Sequence, residues 1–308
     1  MSTLFTDFFI KINQISPLEH KYTEVLEAIA LKPKLLYFRG KLPENVSKMK
    51  KQGRIRSVAI VGSRHNTKYG EEIAYKLAYE LAKKGVIIVS GLAYGIDSVA
   101  HRGCLAANGR TVAVLGTPID QIYPKEHLGL AREIIEKDGA ILSEYAPGAK
   151  VYPKTSFLER NRLISGLSDI VVIVEAAEKS GSLNTATHAI NQGKTVFAVP
   201  GNITSPYSQG CNKLIRQGAI PYTEPDDVLR ELFPEDYTKK RKQLKKQQLI
   251  GDTDAETLVL VAISEGLRSG ENIMKATKLP PEVFSQTVTL LEIKGRLRSL
   301  GMNNWALV

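Results

Sequence analysis

Short apolar runs alternate with helical patterns along most of the chain from Ser57 onward. The runs are SVAIVG, VIIVS, TVAVLG, AILSE, DIVVIVE and TVFAVPG, and the segments between them place apolar residues every three to four positions. Continuous Val and Ile runs predict parallel strands buried on both faces, because an exposed antiparallel strand alternates apolar with polar residues. The alternation of strands with helices predicts an α/β chain with a Rossmann-like, doubly wound, mostly parallel sheet.

The sequence on either side of this pattern predicts further parts. An N-terminal extension, residues 1–55, contains the apolar run Leu35–Phe38, which we expect to form a short strand at the edge of the sheet. The Rossmann-like domain is predicted at 56–238 and a Lys-rich linker at 239–249. Residues 250–308 predict three helices followed by two short strands, which is the outline of a small winged-helix module.

Basic and acidic residues are unevenly distributed along the chain. The chain carries 42 Lys and Arg against 32 Asp and Glu, a net charge of +10. Residues 1–55 hold ten basic and five acidic side chains, and KKRKQLKKQQ at 239–248 holds six basic and no acidic ones. Residues 56–238 hold twenty of each, so the predicted sheet domain is neutral. Any site for a polyanion in that domain must therefore be a local concentration of cations.

Composition excludes several classes of protein. No apolar stretch reaches the roughly 20 residues that a membrane helix needs, and the N-terminus, with Asp7 and Lys11 in its apolar patch, lacks the pattern of a secretory signal. We therefore expect a cytoplasmic protein without membrane contact. The two cysteines, Cys104 and Cys211, are not in metal-ligand spacing, and we expect both to be buried.

Four loops follow predicted strands at their carboxyl ends, where ligands gather in open α/β sheets. The first, Gly62-Ser63-Arg64, offers a glycine for close approach, a hydroxyl and a guanidinium fork that fits a phosphate. A simple turn between strand and helix would have the same composition, so this loop alone is a weak signal.

The second loop, Ser90–Asp97, contains two glycines and a serine. Such a loop predicts a nest of backbone N–H groups for an anion, with Asp97 capping the following helix. His101 lies one helical turn beyond Asp97. The pair raises acid–base catalysis as a hypothesis, against the simpler interpretation of a local hydrogen bond on the helix surface.

The third segment, residues 150–162, combines cations with aromatic residues. Its sequence, KVYPKTSFLERNR, has four cations and one carboxylate. Cations follow the phosphates of a single strand, while aromatic faces stack on its unpaired bases. The segment therefore predicts a site for a single-stranded nucleic acid. A surface helix with some aromatic residues turned to the core is the alternative.

The fourth loop, KSGSLNTA at 179–186, places small hydroxyl residues around a glycine at the start of a helix. Such a helix start predicts an anion site, because its backbone N–H groups are unpaired. The turn Pro200-Gly201-Asn202 is expected to border the same cleft, unless it only reverses the chain. The sequence contains neither a G-x-G-x-x-G dinucleotide motif nor a P-loop, so we expect no cofactor.

Together these segments resemble the DNA-processing protein A (DprA/Smf) family. GSR, SGLAYGID, FLERNR, ISGLSDIVVIVEA, SGSLNTA and FAVPGN occur in the order and approximate spacing of that family. The resemblance covers residues 30–235 closely and 250–308 more loosely. It implies a protein whose Rossmann-like domain binds single-stranded DNA, forms a homodimer and helps load the RecA recombinase during natural transformation. Because the sequence shows no catalytic constellation, we expect a nonenzymatic protein.

The resemblance also implies which residues form the DNA pocket. Transferred motif by motif, they are Ser63, Arg64, Gly91, Lys154, Phe157, Arg160, Asn161 and Arg162, with Ser180, Gly181 and Ser182 as an adjoining phosphate loop. Three residues depart from the motifs: Tyr94 stands where members often have Arg, Leu158 where Pro often follows the Phe, and Asn184 where an aliphatic residue is usual. The first departure is expected to remove one phosphate contact.

Two alternatives stay open. Related sheets cradle nucleotides, so the second hypothesis is a nucleotide-binding sensor or a nucleotide-processing enzyme, with Asp97, Glu144 and Glu175 as candidate carboxylates. The sequence lacks the P-G-G-x-G-T-x-x-E pattern of nucleoside-monophosphate phosphoribohydrolases.

For the winged-helix module, six basic and seven acidic residues in 249–308 favour a structural or protein-docking role over tight binding of duplex DNA.

Overall fold

The computed structural model describes residues 11–44, 55–235, 237 and 249–307, without the side chains of residues 153 and 154. The chain divides into two compact units, and the boundary follows Leu232. The first unit contains a large sheet, and the second contains the C-terminal helices. The basic run 239–248 lies outside the described residues, so the predicted linker and the predicted domain limits stay predictions.

A nine-stranded sheet forms the centre of the first unit. Its strands are β1 (Asn13–Ile15), β2 (Leu36–Gly40), β3 (Ser57–Val61), β4 (Ile87–Ser90), β5 (Thr111–Leu115), β6 (Ala140–Ser143), β7 (Ile170–Ile173), β8 (Thr195–Ala198) and β9 (Ile220–Pro221). The spatial order is β1-β2-β6-β5-β4-β3-β7-β8-β9. All neighbours from β6 to β9 are parallel, whereas β2 is antiparallel to both β1 and β6. The predicted Rossmann-like, mostly parallel sheet is confirmed.

Helices connect the parallel strands, and one further helix follows the last strand of the sheet. They are α1 (Lys68–Lys83), α2 (Ile96–Ala106), α3 (Leu128–Glu136), α4 (Pro153–Gly166), α5 (Gly181–Asn191), α6 (Gln209–Arg216) and α7 (Pro225–Leu232). Helix α4 begins four residues before its predicted start near Phe157, because proline is well suited to the first helical position. Within the described ranges, no helix has both the length and the apolar content needed to cross a membrane.

Both faces of the sheet are buried, as the apolar runs predicted. Along β5, Val112 and Val114 belong to an apolar cluster that includes Leu163 of α4. The alternate residues Ala113 and Leu115 belong to a second cluster, with residues of α2 and α3. Both cysteines are fully buried as predicted, and burial raises the pKa of each thiol to about 12.

The strand predicted at Leu35–Phe38 is present as β2, but its predicted position at the edge of the sheet is wrong. Strand β2 lies between β1 and β6 and pairs with both. The sequence did not predict β1, because its three residues, NQI, are too few to show a strand pattern. The N-terminal region therefore extends the sheet by two antiparallel strands.

The second unit contains α8 (Asp254–Ser264), α9 (Gly270–Thr277), α10 (Pro281–Ile293) and the hairpin strands β10 (Leu297–Gly301) and β11 (Asn304–Leu307). Aliphatic residues of the three helices form its core. The ring of Phe284 meets that of Trp305 edge-on, with 5.6 Å between the centroids. The helices and the hairpin occur where they were predicted, while the classification as a winged helix and the docking role stay predictions.

Candidate nucleic-acid interface

The loops after β3, β4, β5 and β7 meet at one edge of the sheet, because these strands are parallel neighbours. We call this the carboxyl edge; it comprises residues 62–67, 91–95, 116–127 and 174–180. The chain moves from β3 to β4 on one side and returns to β7 on the other side. Such a reversal of strand order opens a crevice that commonly binds ligands.

One face of α4 connects three of these loops. Phe157, Arg160 and Asn161 are three and four residues apart, which places them on the same side of a helix. Phe157 packs over Gly116, where an added Cβ would overlap the aromatic ring. Arg160 bonds to the loop after β4, and Asn161 bonds to the loop before α5. The helix therefore fixes the positions of the loops relative to one another.

The Arg160 guanidinium is buried below the loops. Its Nη1 donates to the Gly91 carbonyl at 2.8 Å and to the Val114 carbonyl. Burial lowers the pKa of Arg160 to about 10, an effect opposed by the nearby Asp97. A side chain at Gly91 would collide with this guanidinium, so the glycine is needed for close packing. Direct contact of Arg160 or Gly91 with DNA stays a prediction, since both are bonded to protein groups.

Asp97 does not cap the next helix, so that prediction is wrong. It lies inside α2 and accepts a hydrogen bond from the Gly91 N–H at 3.0 Å. Burial raises the pKa of its carboxyl, whereas Arg160 and the N–H groups of Gly91 and Ala93 oppose the rise. The anion predicted for this nest is therefore the protein's own carboxylate.

His101 lies in the core between α2 and the sheet. Its Nδ1 is 2.7 Å from the Thr111 hydroxyl, which donates to the Ile88 carbonyl at 2.7 Å. Burial lowers the pKa of His101 to about 3. The predicted hydrogen bond on the helix surface is wrong, because the imidazole is fully buried and bonded to the sheet instead.

Arg64, in the loop after β3, lies against Phe157 of α4. Arg64 is exposed, and its guanidinium carbon lies 5.3 Å from the centroid of the half-buried Phe157 ring. A cation over an aromatic face is attracted by the ring electrons. The preceding Ser63 is half-buried, and its hydroxyl accepts a hydrogen bond from the His65 N–H at 3.1 Å. The loop thus presents a guanidinium fork beside an aromatic ring.

The loop before α5 lies on the other side of α4. Ser180 caps the helix by accepting from the Ser182 N–H at 3.3 Å, and Ser182 itself is buried. Gly181 is exposed, with no atom within 4 Å of an added Cβ. The Asn161 amide donates to the Gly181 carbonyl at 3.3 Å and to the Asn184 side chain at 3.2 Å. The helix start is therefore open to solvent at Gly181.

The remaining predicted cations do not gather at one place. Arg162 forms a two-oxygen ion pair with Glu144 at 2.8 Å, and only 10% of its side chain is exposed. The side chain of Lys154 lies outside the described part of the structure. Lys150 is exposed, as is Tyr152, at 83%. The exposed cationic cluster predicted across 150–162 is smaller than expected, because α4 turns Arg160 and Arg162 into the protein.

Two aromatic residues at this edge were not among the predicted site residues. Tyr94 is 42% exposed and Tyr123 is 48% exposed. The Tyr123 ring centroid lies 5.4 Å from that of Phe157, and the Tyr94 hydroxyl donates to the Glu126 carboxylate at 2.6 Å. Their signal in the sequence was their position, since each follows a strand at its carboxyl end.

Comparison with known proteins agrees with this architecture. The family model described as DNA recombination-mediator protein A matches residues 13–233. The DNA processing protein DprA of Bacillus subtilis is 41% identical over 221 residues, which are 72% of this chain and 71% of the relative. The Protein Smf of Escherichia coli is 48% identical over 179 residues, which are 57% of this chain but only 46% of the relative. The chain thus spans about half the length of that relative.

A solved structure also matches. The DNA processing protein A of Helicobacter pylori, whose structure describes a single-stranded DNA binding mode, is 32% identical, with a TM-score of 0.62. The match covers 74% of this chain and 98% of the other. The family resemblance predicted from the motifs is confirmed. This chain therefore belongs to the DNA recombination-mediator protein A family, whose curated members are named DprA or Smf.

Proposed function

We propose that this protein binds single-stranded DNA at the carboxyl edge and acts as a recombination mediator in the bacterial cytoplasm. Ser63, Arg64, Lys154 and Phe157 contact the strand, together with the loop Ser180–Ser182. Gly91, Arg160 and Asn161 hold these groups in place through the hydrogen bonds described above, and Arg162 is held by its ion pair with Glu144. The support is the family membership and the solved relative, which is described as a single-stranded DNA binder.

The observation that carries this proposal is Arg64 over Phe157, at 5.3 Å, in a region with twenty basic and twenty acidic residues. A general basic surface attracts any nucleic acid, whereas a cation beside an aromatic ring fits an unpaired nucleotide. The stacked pair therefore favours a single strand over a duplex, in which bases are already stacked on one another.

Fluorescence anisotropy with an oligothymidylate and a duplex of equal length tests this proposal. We expect salt-sensitive binding with preference for the single strand, and weaker binding by Arg64→Ala and Lys154→Ala. Arg110→Ala is the matched control, because Arg110 precedes β5 at the opposite edge of the sheet. Equal binding by Arg64→Ala and the wild type, or no preference for the single strand, would overturn the proposal.

We propose no catalytic step. An enzyme on this sheet would need a carboxylate at the sugar, and of the three candidates, Asp97 and Glu144 are engaged by the contacts described above. Glu175 is buried and accepts hydrogen bonds from the Thr67 N–H at 2.9 Å and the Thr67 hydroxyl at 2.6 Å. These bonds support a structural role for each carboxylate. If chromatography detected the release of free base from nucleoside monophosphates, the proposal that the protein catalyses no reaction would be contradicted.

The proposed partners are a second copy of the chain and the RecA recombinase. Family membership supports both, and α5 offers an exposed aliphatic residue, Ile190, at 58% exposure. Sedimentation of the wild type and of Ile190→Glu tests the homodimer, and a RecA filament assay on strands coated with a single-strand-binding protein tests loading. A monomeric wild type or an absence of stimulated filament growth would contradict the respective partner.

A further inference from the structure

Tyr94 and Tyr123 lie in loops of the carboxyl edge, and Phe157 lies on the adjoining helix α4. Tyr123 contacts Phe157, with 5.4 Å between the ring centroids and 45° between the planes. Tyr94 lies on the adjacent loop, whose Gly95 packs directly against the backbone of Ser63 and Arg64. The hydrogen bond to Glu126 raises the pKa of Tyr94, and the nearby Tyr123 hydroxyl adds to the rise. Contacts therefore link Tyr123, Phe157 and the Arg64 guanidinium, and the loop that carries Tyr94 packs against the backbone of Arg64.

Tyr94 is held in a fixed orientation although it is exposed. Its hydroxyl donates to Glu126 at 2.6 Å, and its ring meets that of His127 edge-on, with 5.2 Å between the centroids. The His127 Nδ1 is in turn 2.8 Å from the Leu92 carbonyl, on the same loop as Tyr94. An aromatic ring that is fixed before binding loses little conformational entropy when a ligand stacks on it.

The Tyr94 hydroxyl lies next to a negative charge. Glu126 is exposed, and its carboxylate lies directly at the Tyr94 hydroxyl. A carboxylate repels the phosphates of a DNA strand, but it does not oppose stacking of a neutral base on the neighbouring ring. The phosphates are therefore expected on the side of Arg64, and the bases on the side of the tyrosines.

From this arrangement we infer that Tyr94 and Tyr123 extend Phe157 into a platform on which unpaired bases stack. The inference rests on the proposed DNA-binding function and adds a substrate property to it: the protein recognises the bases of a strand as well as its phosphates. Tyr94 also stands where related motifs often have Arg, so a base contact replaces a phosphate contact at this position.

Binding of two oligomers of equal length and charge tests the platform. One is an oligothymidylate and the other is an abasic strand with the same number of phosphates. We expect Tyr94→Leu and Tyr123→Leu each to weaken binding of the oligothymidylate by about 5- to 100-fold, as expected for the loss of one stacked base. Neither variant is expected to change binding of the abasic strand by more than about twofold.

Three variants complete the test. Tyr94→Phe keeps the ring and is expected to bind closer to the wild type than Tyr94→Leu. Tyr75→Leu removes a tyrosine of similar exposure, 43%, on α1, and is expected to bind as the wild type. Tyr94→Arg is expected to reduce the preference for the oligothymidylate over the abasic strand. It is also expected to increase the slope of log affinity against log salt concentration by about one.

The outcomes separate the platform from the proposed function. If the wild type does not bind the oligothymidylate, the proposed function itself fails. If the wild type binds and Arg64→Ala weakens binding, but both leucine variants bind as the wild type, the platform is wrong. An equal loss on the abasic strand by folded leucine variants, with folding checked by circular dichroism, would also overturn it, because that loss would not involve bases.

Discussion

The guanidinium carbon of Arg64 lies 5.3 Å from the centroid of the Phe157 ring. The two residues come from different elements, the loop after β3 and the helix α4. The buried guanidinium carbon of Arg160 lies 6.0 Å from the same centroid. The Phe157 ring therefore lies near two cations, the exposed Arg64 and the buried Arg160.

Replacement of Arg64 separates its charge from its shape. Arg64→Lys keeps the charge but loses the planar contact with Phe157, so we expect about twofold to fivefold weaker binding of single-stranded DNA and an unchanged salt slope. Arg64→Ala removes the charge as well. It is expected to reduce the slope of log affinity against log salt concentration by about one. Titrations at several salt concentrations measure both effects. Equal slopes for Lys and Ala variants would show that Arg64 contacts no phosphate.

Close packing against Gly116 fixes the position of the Phe157 ring. Its Cβ would overlap that ring, so Gly116→Ala is expected to move the ring, weaken DNA binding and lower the free energy of unfolding by about 1–3 kcal/mol. Gly129→Ala is the control, because no atom lies within 4 Å of the added Cβ on α3. Urea unfolding and anisotropy check both variants. Wild-type affinity in Gly116→Ala would contradict the positioning of the ring.

Asp97 compensates the buried charge of Arg160. Asp97→Asn has nearly the same shape but loses the negative charge that faces the guanidinium and accepts from the Gly91 N–H, so we expect the free energy of unfolding to fall by about 1–3 kcal/mol. The exposed Asp226 on α7 provides a control, and Asp226→Asn is expected to change stability by less than about 1 kcal/mol. Similar unfolding curves for both variants would show that Asp97 does not stabilise Arg160.

The sheet was predictable from the sequence because burial on both faces leaves continuous apolar runs, as in β3, β5 and β7. Strands β1 and β9 were missed because they have three and two residues and pair only at the edges. The middle position of β2 could not be predicted, since it depends on pairing with β1 and not on β2 itself.

The site was predictable only in part. The sequence pattern identifies the residues of a helix, but it does not show which side chains are buried and which are exposed. Phe157 and Arg160 share one face of α4. Only the contacts with Gly116 and Gly91 show that the ring stays half-exposed while the guanidinium is buried. The sequence did not show that Asp97 accepts hydrogen bonds from the loop after β4. Asp97 belongs to the same motif, so it was not recognised as the anion bound by that loop.

His101 provides a test at low pH. Its pKa is lowered from 6.5 to about 3 in the folded protein, so the unfolded chain takes up the proton first as the pH falls. The stability that depends on neutral His101 is complete above pH 6.5 and is lost progressively between pH 6.5 and 3. Nitrogen NMR shifts of the folded protein should show a neutral ring at pH 5. A midpoint near 6.5 would place His101 in contact with solvent.

Photocrosslinking most directly tests whether the single strand lies at the carboxyl edge. An oligothymidylate with 5-iodouracil substitutions is irradiated in complex with the protein, and the crosslinked peptides are identified by mass spectrometry. We predict crosslinks at Phe157 and in the loops of residues 62–67, 91–95 and 116–127, and their loss when unlabelled single strand competes. Crosslinks confined to the basic run 239–248 or to residues 249–307 would contradict the account.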